Sequence, residues 1–326
     1  MPDKNNSFII QSSPHLRETD SVPKIMFSVI ISLLPAAFAS IYFFRLRAAI
    51  LLLSCVAASL ITEALFLWLR MRPFHSLLDG SAAITGILLA MTLPPSLPLE
   101  FAIIGAVVAI GIGKQVFGGL GHNIFNPALV GRAFLQTAFP VAMTTWIPPA
   151  MIKVNTATFA TPLANLKFQD AISQGTLTSL KELFWGNVGG CLGETSAFAL
   201  ILGALYLLLR RSIDWRIPVG IIVSLSLFTG IFWLANPGKY ASPLFHVLAG
   251  GLIIGAFFMA TDMVTSPISP LGAWIYALGI GLIIGLIRLF GGYAEGVMYS
   301  ILFMNAFVPL LNKYTRPRIL GEGRKT

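Results

Sequence analysis

Apolar runs of about 20 residues recur along this chain, each closed by a short polar interruption. A run of that length, wound at 1.5 Å per residue, crosses roughly 30 Å of hydrocarbon as an α-helix. Runs of that length point to helices rather than to a barrel. Only 11% of the residues are charged, against roughly 25% in a soluble domain, and the deficit runs the whole length. The sequence therefore predicts an all-α polytopic membrane protein. About ten spans are expected, near 25–44, 48–69, 76–93, 99–116, 123–140, 187–209, 216–234, 243–261, 271–289 and 295–312. The fifth, "NIFNPALVGRAFLQTAF", is polar for a lipid-facing helix and reads as a broken or interior element.

The net charge of +9 does not indicate nucleic acid, because the bases fall in small clusters between apolar runs, as topology determinants do. With the N-terminus inside, inner segments carry about twice as many Lys and Arg as outer ones. That assignment puts Lys114 on an inner loop, Arg288 on an outer one and both termini in the cytoplasm. The polar N-terminal stretch lacks an h-region with a cleavage site, so no cleaved signal peptide is expected. Cys55 and Cys191 lie far apart in apolar runs. Two thiols cannot hold an Fe–S cluster, which normally takes four, and they read as inert buried groups.

Two phrases recur in the same order half a chain apart. "FHSLLDGSAAITGILLAMT" (74–92) parallels "FHVLAGGLIIGAFFMAT" (245–261), and Lys114 stands shortly before one Phe-Gly-Gly as Arg288 stands before another. With about five spans in each half, an odd number, the second half must be inverted relative to the first. Inverted repeats place sites near the midplane, around broken helices. The Gly- and Pro-rich stretches "FGGLGHNIFNPA", "LPPSLP" and "ATDMVTSPISP" are where such breaks are expected. Non-helical backbone at that depth survives only where it is buried or lines a cavity.

Polar residues in these spans are candidates for function. Asp79 and Asp262, with Glu63 and Glu194 behind them, are candidate ion-path carboxylates, since intramembrane acids cost a few kcal/mol on insertion scales. Pairing with a neighbouring base, or an interfacial position, explains them equally. Asn123, Asn126 and Arg132 can satisfy broken-helix carbonyls or bind an anionic or heteroaromatic ligand. His75 and His246 are related by the repeat and read either as haem ligands or as helix-end residues of common descent.

Between the fifth and sixth spans lies "TATFATPLANLK" (156–167), a threonine-rich loop that the topology places outside. Together with "SPHLRETDSVPKIMFSVIISLLPA", "FGGLGHNIFNPALVGRAF", "FMATDMVTSP" and "FGGYAEGVMYSILFMNAFVPLLN", it makes nearly the full chain resemble RnfD, a membrane subunit of the Rnf electron-transport complex. That family is itself related to NqrB of the sodium-translocating NADH:quinone reductase. The resemblance implies covalent FMN, held by a phosphoester to a threonine in a loop motif ending Ser/Thr-Gly-Ala-Thr. "TFAT", Thr158 to Thr161, matches that motif, with Thr161 as the attachment residue, Ala160 beside it, and Thr158 and Thr156 as fallback sites. Phe159 replaces the motif's glycine, and Asn155 stands where an aspartate is usual. Attachment needs a threonine whose backbone is exposed and extended enough to enter a flavin transferase, and Pro162 disfavours the helical region for Thr161.

The resemblance further implies a component of a ferredoxin:NAD⁺ oxidoreductase in the bacterial or archaeal cytoplasmic membrane, coupling electron flow to Na⁺ or H⁺ transport beside other Rnf subunits. A second, noncovalent flavin such as riboflavin is expected around Asn123, Asn126 and Arg132. The expected organisation is a cytoplasmic segment 1–24, a first membrane repeat 25–140, an outward flavin-attachment loop 141–186, a second repeat 187–312 and a cytoplasmic tail 313–326. Without the threonine loop and the family motifs, a flavin-free inverted-repeat channel or secondary transporter fits the same pattern.

Overall fold

The structure is a computed structural model that describes residues 21–149, 160–169, 171–172 and 174–316. The described residues are helical, with no β-strand among them. Two long helices, α1 (Val22–Phe44) and α2 (Leu46–Leu69), are followed by a 3₁₀ turn, Phe74–Asp79, and by α3 (Ser81–Met91). α4 (Leu99–Ile110) continues as a π-helical segment, Gly111–Gln115, before α5 (Pro127–Ala138) and the short α6 (Pro140–Met143). The connecting region holds α7 (Pro162–Phe168) and α8 (Leu180–Trp185). A 3₁₀ turn, Leu192–Glu194, then leads into α9 (Ala197–Leu209) and α10 (Arg216–Ala235). α11 (Pro243–Leu248) and α12 (Leu252–Ile254) run into a second π-helical segment, Gly255–Met259. α13 (Pro270–Phe290) and α14 (Val297–Tyr314) complete the chain.

Four of these helices, α1, α2, α10 and α13, are each long and apolar enough to cross a membrane. The last expected span is the 18-residue α14, and the remaining ones are shorter or interrupted, for local reasons. The span at 76–93 is cut by Gly80, which takes φ +79°, and the one at 243–261 by Gly250, at φ +73°. Glycine reaches this left-handed region without a Cβ clash, so each apolar run is folded into two pieces. The span at 187–209 starts late, because its first residues form the 3₁₀ turn and α9 begins only after Ser196, whose hydroxyl accepts from Ala199 N. The fifth span is the short α5. Asn126 caps it by accepting from Ala128 N and Leu129 N, and Pro127 stands at its first position.

Packing follows the order of the elements in each half. α2 packs on α3 and α4 as α10 packs on α11 and α13, and α4 on α5 as α13 on α14. Between the halves, α1 lies against α9 and α5 against α14. The α1–α9 pair is antiparallel. Arg210, past the end of α9, donates to Ser28 Oγ near the start of α1 at 3.5 Å, and Ser40 Oγ near the end of α1 donates to Leu192 O before α9 begins, at 2.6 Å. Gly203 permits this approach, since a Cβ there would collide with the Ser32 carbonyl oxygen. Outward faces stay apolar, with Phe38, Leu53, Leu227 and Ile231 exposed. That pattern is what a lipid solvent permits and water does not.

Candidate functional site

Polar chemistry concentrates in three places, each produced by a break in helical structure. The first is a buried ion pair. The π-helical segment after α4 turns Lys114 inward, and its Nζ lies 2.6 Å from Glu63 Oε1 on α2, with both side chains 2% exposed. Lys114 also donates to Ser81 Oγ at 2.7 Å, while Gln115 Nε2 donates to the same Glu63 oxygen at 3.1 Å. Lys114 is therefore a buried counter-ion, not the inner-loop base that the topology count took it for. Arg288 is corrected likewise: it is buried in α13 and donates to the carbonyls of His246 and Ala249.

Lys114 also lines a cavity of about 90 Å³ between the two halves. Ser81, Thr85, Asn123, Asn126 and Asp262 face it as well. Asp262 accepts from Val264 N at 3.4 Å and from Thr265 Oγ1 at 3.0 Å. Asn126, beyond capping α5, donates to Met259 O at 3.1 Å, which ties the start of α5 to the second π-helical segment. Asp79 ends the first 3₁₀ turn and does not line this cavity, so the two candidate aspartates are not brought together there.

The second cavity, about 470 Å³, opens between α5, α7 and the start of α14. Ala160, Thr161, Arg132, Glu295, Tyr293 and Tyr299 contribute to its wall. Thr161 is extended, at φ −67° and ψ 154°, and caps α7 by accepting from Ala164 N. Its extended backbone agrees with the sequence reading. Its exposure does not, because Thr161 is only 4% accessible, packed into the cavity wall by the α7 helix that it caps. Thr158, Thr156, Asn155 and Phe159 lie outside the described residues.

Arg132 Nη2 pairs with Glu295 Oε2 at 3.1 Å and approaches Cys191 Sγ at 3.6 Å. Glu194 sits in the same group: its Oε2 accepts from Cys191 N at 3.4 Å, and it interacts with Glu295 and Arg132. The Asn123–Asn126–Arg132 set expected to form one site thus divides, with the asparagines on the first cavity and Arg132 on the second. His246 is buried in α11, and His75 belongs to the first 3₁₀ turn, which packs on α1, α2 and α3; α11 packs on α8, α10 and α12. The principal packing partners of the two elements therefore differ.

Residues 9–321 match the model of the NQR2, RnfD, RnfE family. The chain belongs to that family. Its relatives include a protein of Clostridium ljungdahlii, 46% identical over 98% of both chains, named as a subunit of the proton-translocating ferredoxin:NAD(+) oxidoreductase complex. Another, from Acetobacterium woodii, is 45% identical over 96% of this chain and 95% of its own, and is named as the corresponding subunit of the Na(+)-translocating complex. A third, from Stutzerimonas stutzeri, is 39% identical over 94% of each and is named as a subunit of the ion-translocating oxidoreductase complex. Within this family member, sequence reasoning left Lys114, Arg288, Tyr293 and Tyr299 out of its candidate sites. The repeated base before Phe-Gly-Gly marked the first two, but nothing in the sequence marked the tyrosines as cavity wall.

Proposed function

We propose that this chain is the flavin-carrying membrane subunit of an ion-translocating ferredoxin:NAD⁺ oxidoreductase complex, with FMN esterified through its phosphate to Thr161. The observation that carries this reading is the placement of Thr161. It is an extended, proline-followed threonine in the wall of a 470 Å³ cavity that also presents Arg132 and two tyrosines. The residues fit the group. The volume is within the roughly 300–1,000 Å³ of cofactor sites, and Tyr293 and Tyr299, 5.1 Å apart, offer ring faces to a planar heterocycle. When bound, FMN supplies one- and two-electron transfer. Arg132 sets a positive charge against the cavity, and the half-buried Glu295 and buried Glu194 beside it moderate that charge.

The first cavity, at 90 Å³, is smaller than a flavin site, so riboflavin does not fit it as built. Its carboxylate, hydroxyl and amide oxygens suit water or a cation. We assign Asp262 to the ion path on this ground, with Glu63 acting through its Lys114 partner. Asp79 remains a candidate on its sequence position alone.

The ten-span inverted repeat belongs to the same reading. It is supported by the matching packing order in the two halves, by antiparallel α1 and α9, and by the two left-handed glycines that split corresponding runs. With both termini cytoplasmic, the Thr161 cavity faces outward, where an electron-transfer partner can reach it.

Purified protein from its host membranes, run on a denaturing gel, is expected to fluoresce as flavin, and peptide mapping is expected to place the added mass on Thr161. Thr161→Ala removes both signals. A dark parental band from cells that possess the flavin transferase would move the flavin-free transporter to the front. For the ion path, reconstituted vesicles carrying Asp262→Asn are expected to lose coupled transport, and transport at the parental rate sinks that assignment.

A further inference from the structure

A third concavity, about 140 Å³, opens between α7, the connection from α10 to α11, and the end of α13. Its polar lining is Lys167, Lys239, Tyr240, His246 and Arg288, with no carboxylate among them. His246 and Arg288 are 1% and 4% exposed. Both ring nitrogens of His246, and Nε of Arg288, lack a hydrogen-bond partner among the described residues. More than nine in ten buried polar groups in native proteins are paired, so two unpartnered side chains lining one concavity point to a ligand with oxygen acceptors.

The charges around the concavity favour an anion. Arg288 is anchored by the carbonyls of His246 and Ala249. Glu295 and Glu194 act on it from the side of the attachment cavity, but Arg132 lies among them. Two guanidinium groups thus face two carboxylates, and the lysine charges meet no carboxylate among the described residues of the lining. Lys167 donates to the carbonyls of Ile287 and Tyr293 at 2.8 and 2.9 Å, and partial burial holds its ammonium below the ordinary lysine range. Lys239 is exposed and stands 5.6 Å over the Tyr240 ring. A cationic ligand meets no counter-charge among the described residues lining it, and an apolar one leaves the buried donors unsatisfied.

We propose that this concavity binds a phosphate-class oxyanion, either the phosphodiester of an anionic lipid or free phosphate. The Lys239 ammonium and the Tyr240 hydroxyl supply a charge-assisted and a neutral donor at the concavity, and the unpartnered nitrogens of Arg288 and His246, sealed within its wall, reach a ligand once those side chains turn toward it. At about 30 Å³ per water molecule in the liquid, the volume admits a tetrahedral headgroup. Anion binding here does not depend on flavin attachment.

The test uses the full-length chain in neutral detergent with two probes. Inorganic phosphate is titrated against thermal unfolding, and dioleoyl phosphatidylglycerol against phosphatidylcholine is followed by native mass spectrometry. One probe is expected to bind saturably. Lys239→Gln, an exposed change that leaves the fold intact, weakens that binding about tenfold, Lys239→Arg restores it, and Arg47→Gln at another exposed base leaves it unchanged. Retention of phosphatidylglycerol without a phosphate response assigns the site to lipid, and a phosphate response alone assigns it to the free anion. Binding of neither probe, binding untouched by Lys239→Gln, or equal weakening by Lys239→Gln and Arg47→Gln overturns the proposal.

Discussion

The Lys114–Glu63 pair allows a quantitative test of how this interior tolerates charge. At 2.6 Å and an effective dielectric of about 20, the mutual attraction is about 6 kcal/mol. The desolvation of two buried ions opposes it at several kcal/mol each. The net worth of the pair is therefore small, while the cost of breaking it is large. Lys114→Met keeps the length and apolar stem of the side chain but leaves the Glu63 carboxylate with Gln115 as its remaining side-chain partner, and Glu63 Oε2 has no partner even in the parent. The expected destabilisation is about 3–5 kcal/mol. Glu63→Leu strands the ammonium with only Ser81 and costs a similar amount. The double variant, apolar at both positions, is expected within about 1–2 kcal/mol of the parent, since apolar replacement of a buried pair is often close to neutral. Equilibrium unfolding in mixed micelles, driven by sodium dodecyl sulfate and followed by circular dichroism, measures all four corners of the cycle. If the double variant loses the sum of the two single losses, or if Lys114→Met costs less than about 1 kcal/mol, the charges are not coupled as the geometry requires.

Three further outcomes follow from named contacts. Gly203→Leu forces side-chain atoms into the Ser32 carbonyl of α1 and is expected to cost at least about 1–3 kcal/mol, read as a lower unfolding midpoint, whereas Leu202→Ala on the exposed side of the same helix stays within about 0.5 kcal/mol. Asn126→Ala removes the α5 cap and strands the Met259 carbonyl, for an expected loss of about 2–3 kcal/mol in the same assay. Thr161→Ser retains a capping hydroxyl for Ala164 N and a nucleophilic oxygen. It is expected to hold α7 at parental stability, where Thr161→Ala loses about 1 kcal/mol, and a mapped flavin mass on Ser separates chemistry at the hydroxyl from a requirement for the threonine methyl.

Hydropathy alone located the long helices. α1, α2, α10 and α13 begin and end within a few residues of the expected spans because uninterrupted apolar runs leave a helix no competitor in lipid. The non-helical stretches at 116–126, 92–98 and 261–269 were legible as well, from their glycines and prolines. The cuts at Gly80 and Gly250 were not, because a single glycine inside an apolar run is also tolerated in a straight helix; only the paired geometry of the two halves exposes them. At the sites, the extended backbone of Thr161 was legible from Pro162, but its burial was not, since that depends on α7 folding against α11 and the end of α13. The role of Lys114 was hidden for a different reason. One lysine at the edge of an apolar run has the same sequence signature whether it points to water or, turned by a local π segment, to a glutamate 51 residues earlier.

That π segment carries a consequence for how the chain can change. Between Gly111 and Gln115 the backbone bonds skip one residue further than in an α-helix, as Val116 N reaches Gly111 O at 2.9 Å, and each residue of an α-helix advances the face by about 100°. The helix therefore holds one residue more than its outline needs, and that surplus sets the angular phase of everything after it. Lys114 and Gln115 lie inward while Ile112 and Val116 lie outward. Loss of any one residue in this stretch would let the turn close as ordinary α-helix and rotate the downstream faces by about a quarter turn. Chain length through these five positions is thus under as tight a constraint as their chemistry, and single-residue deletions that a surface loop absorbs would here misdirect a buried charge.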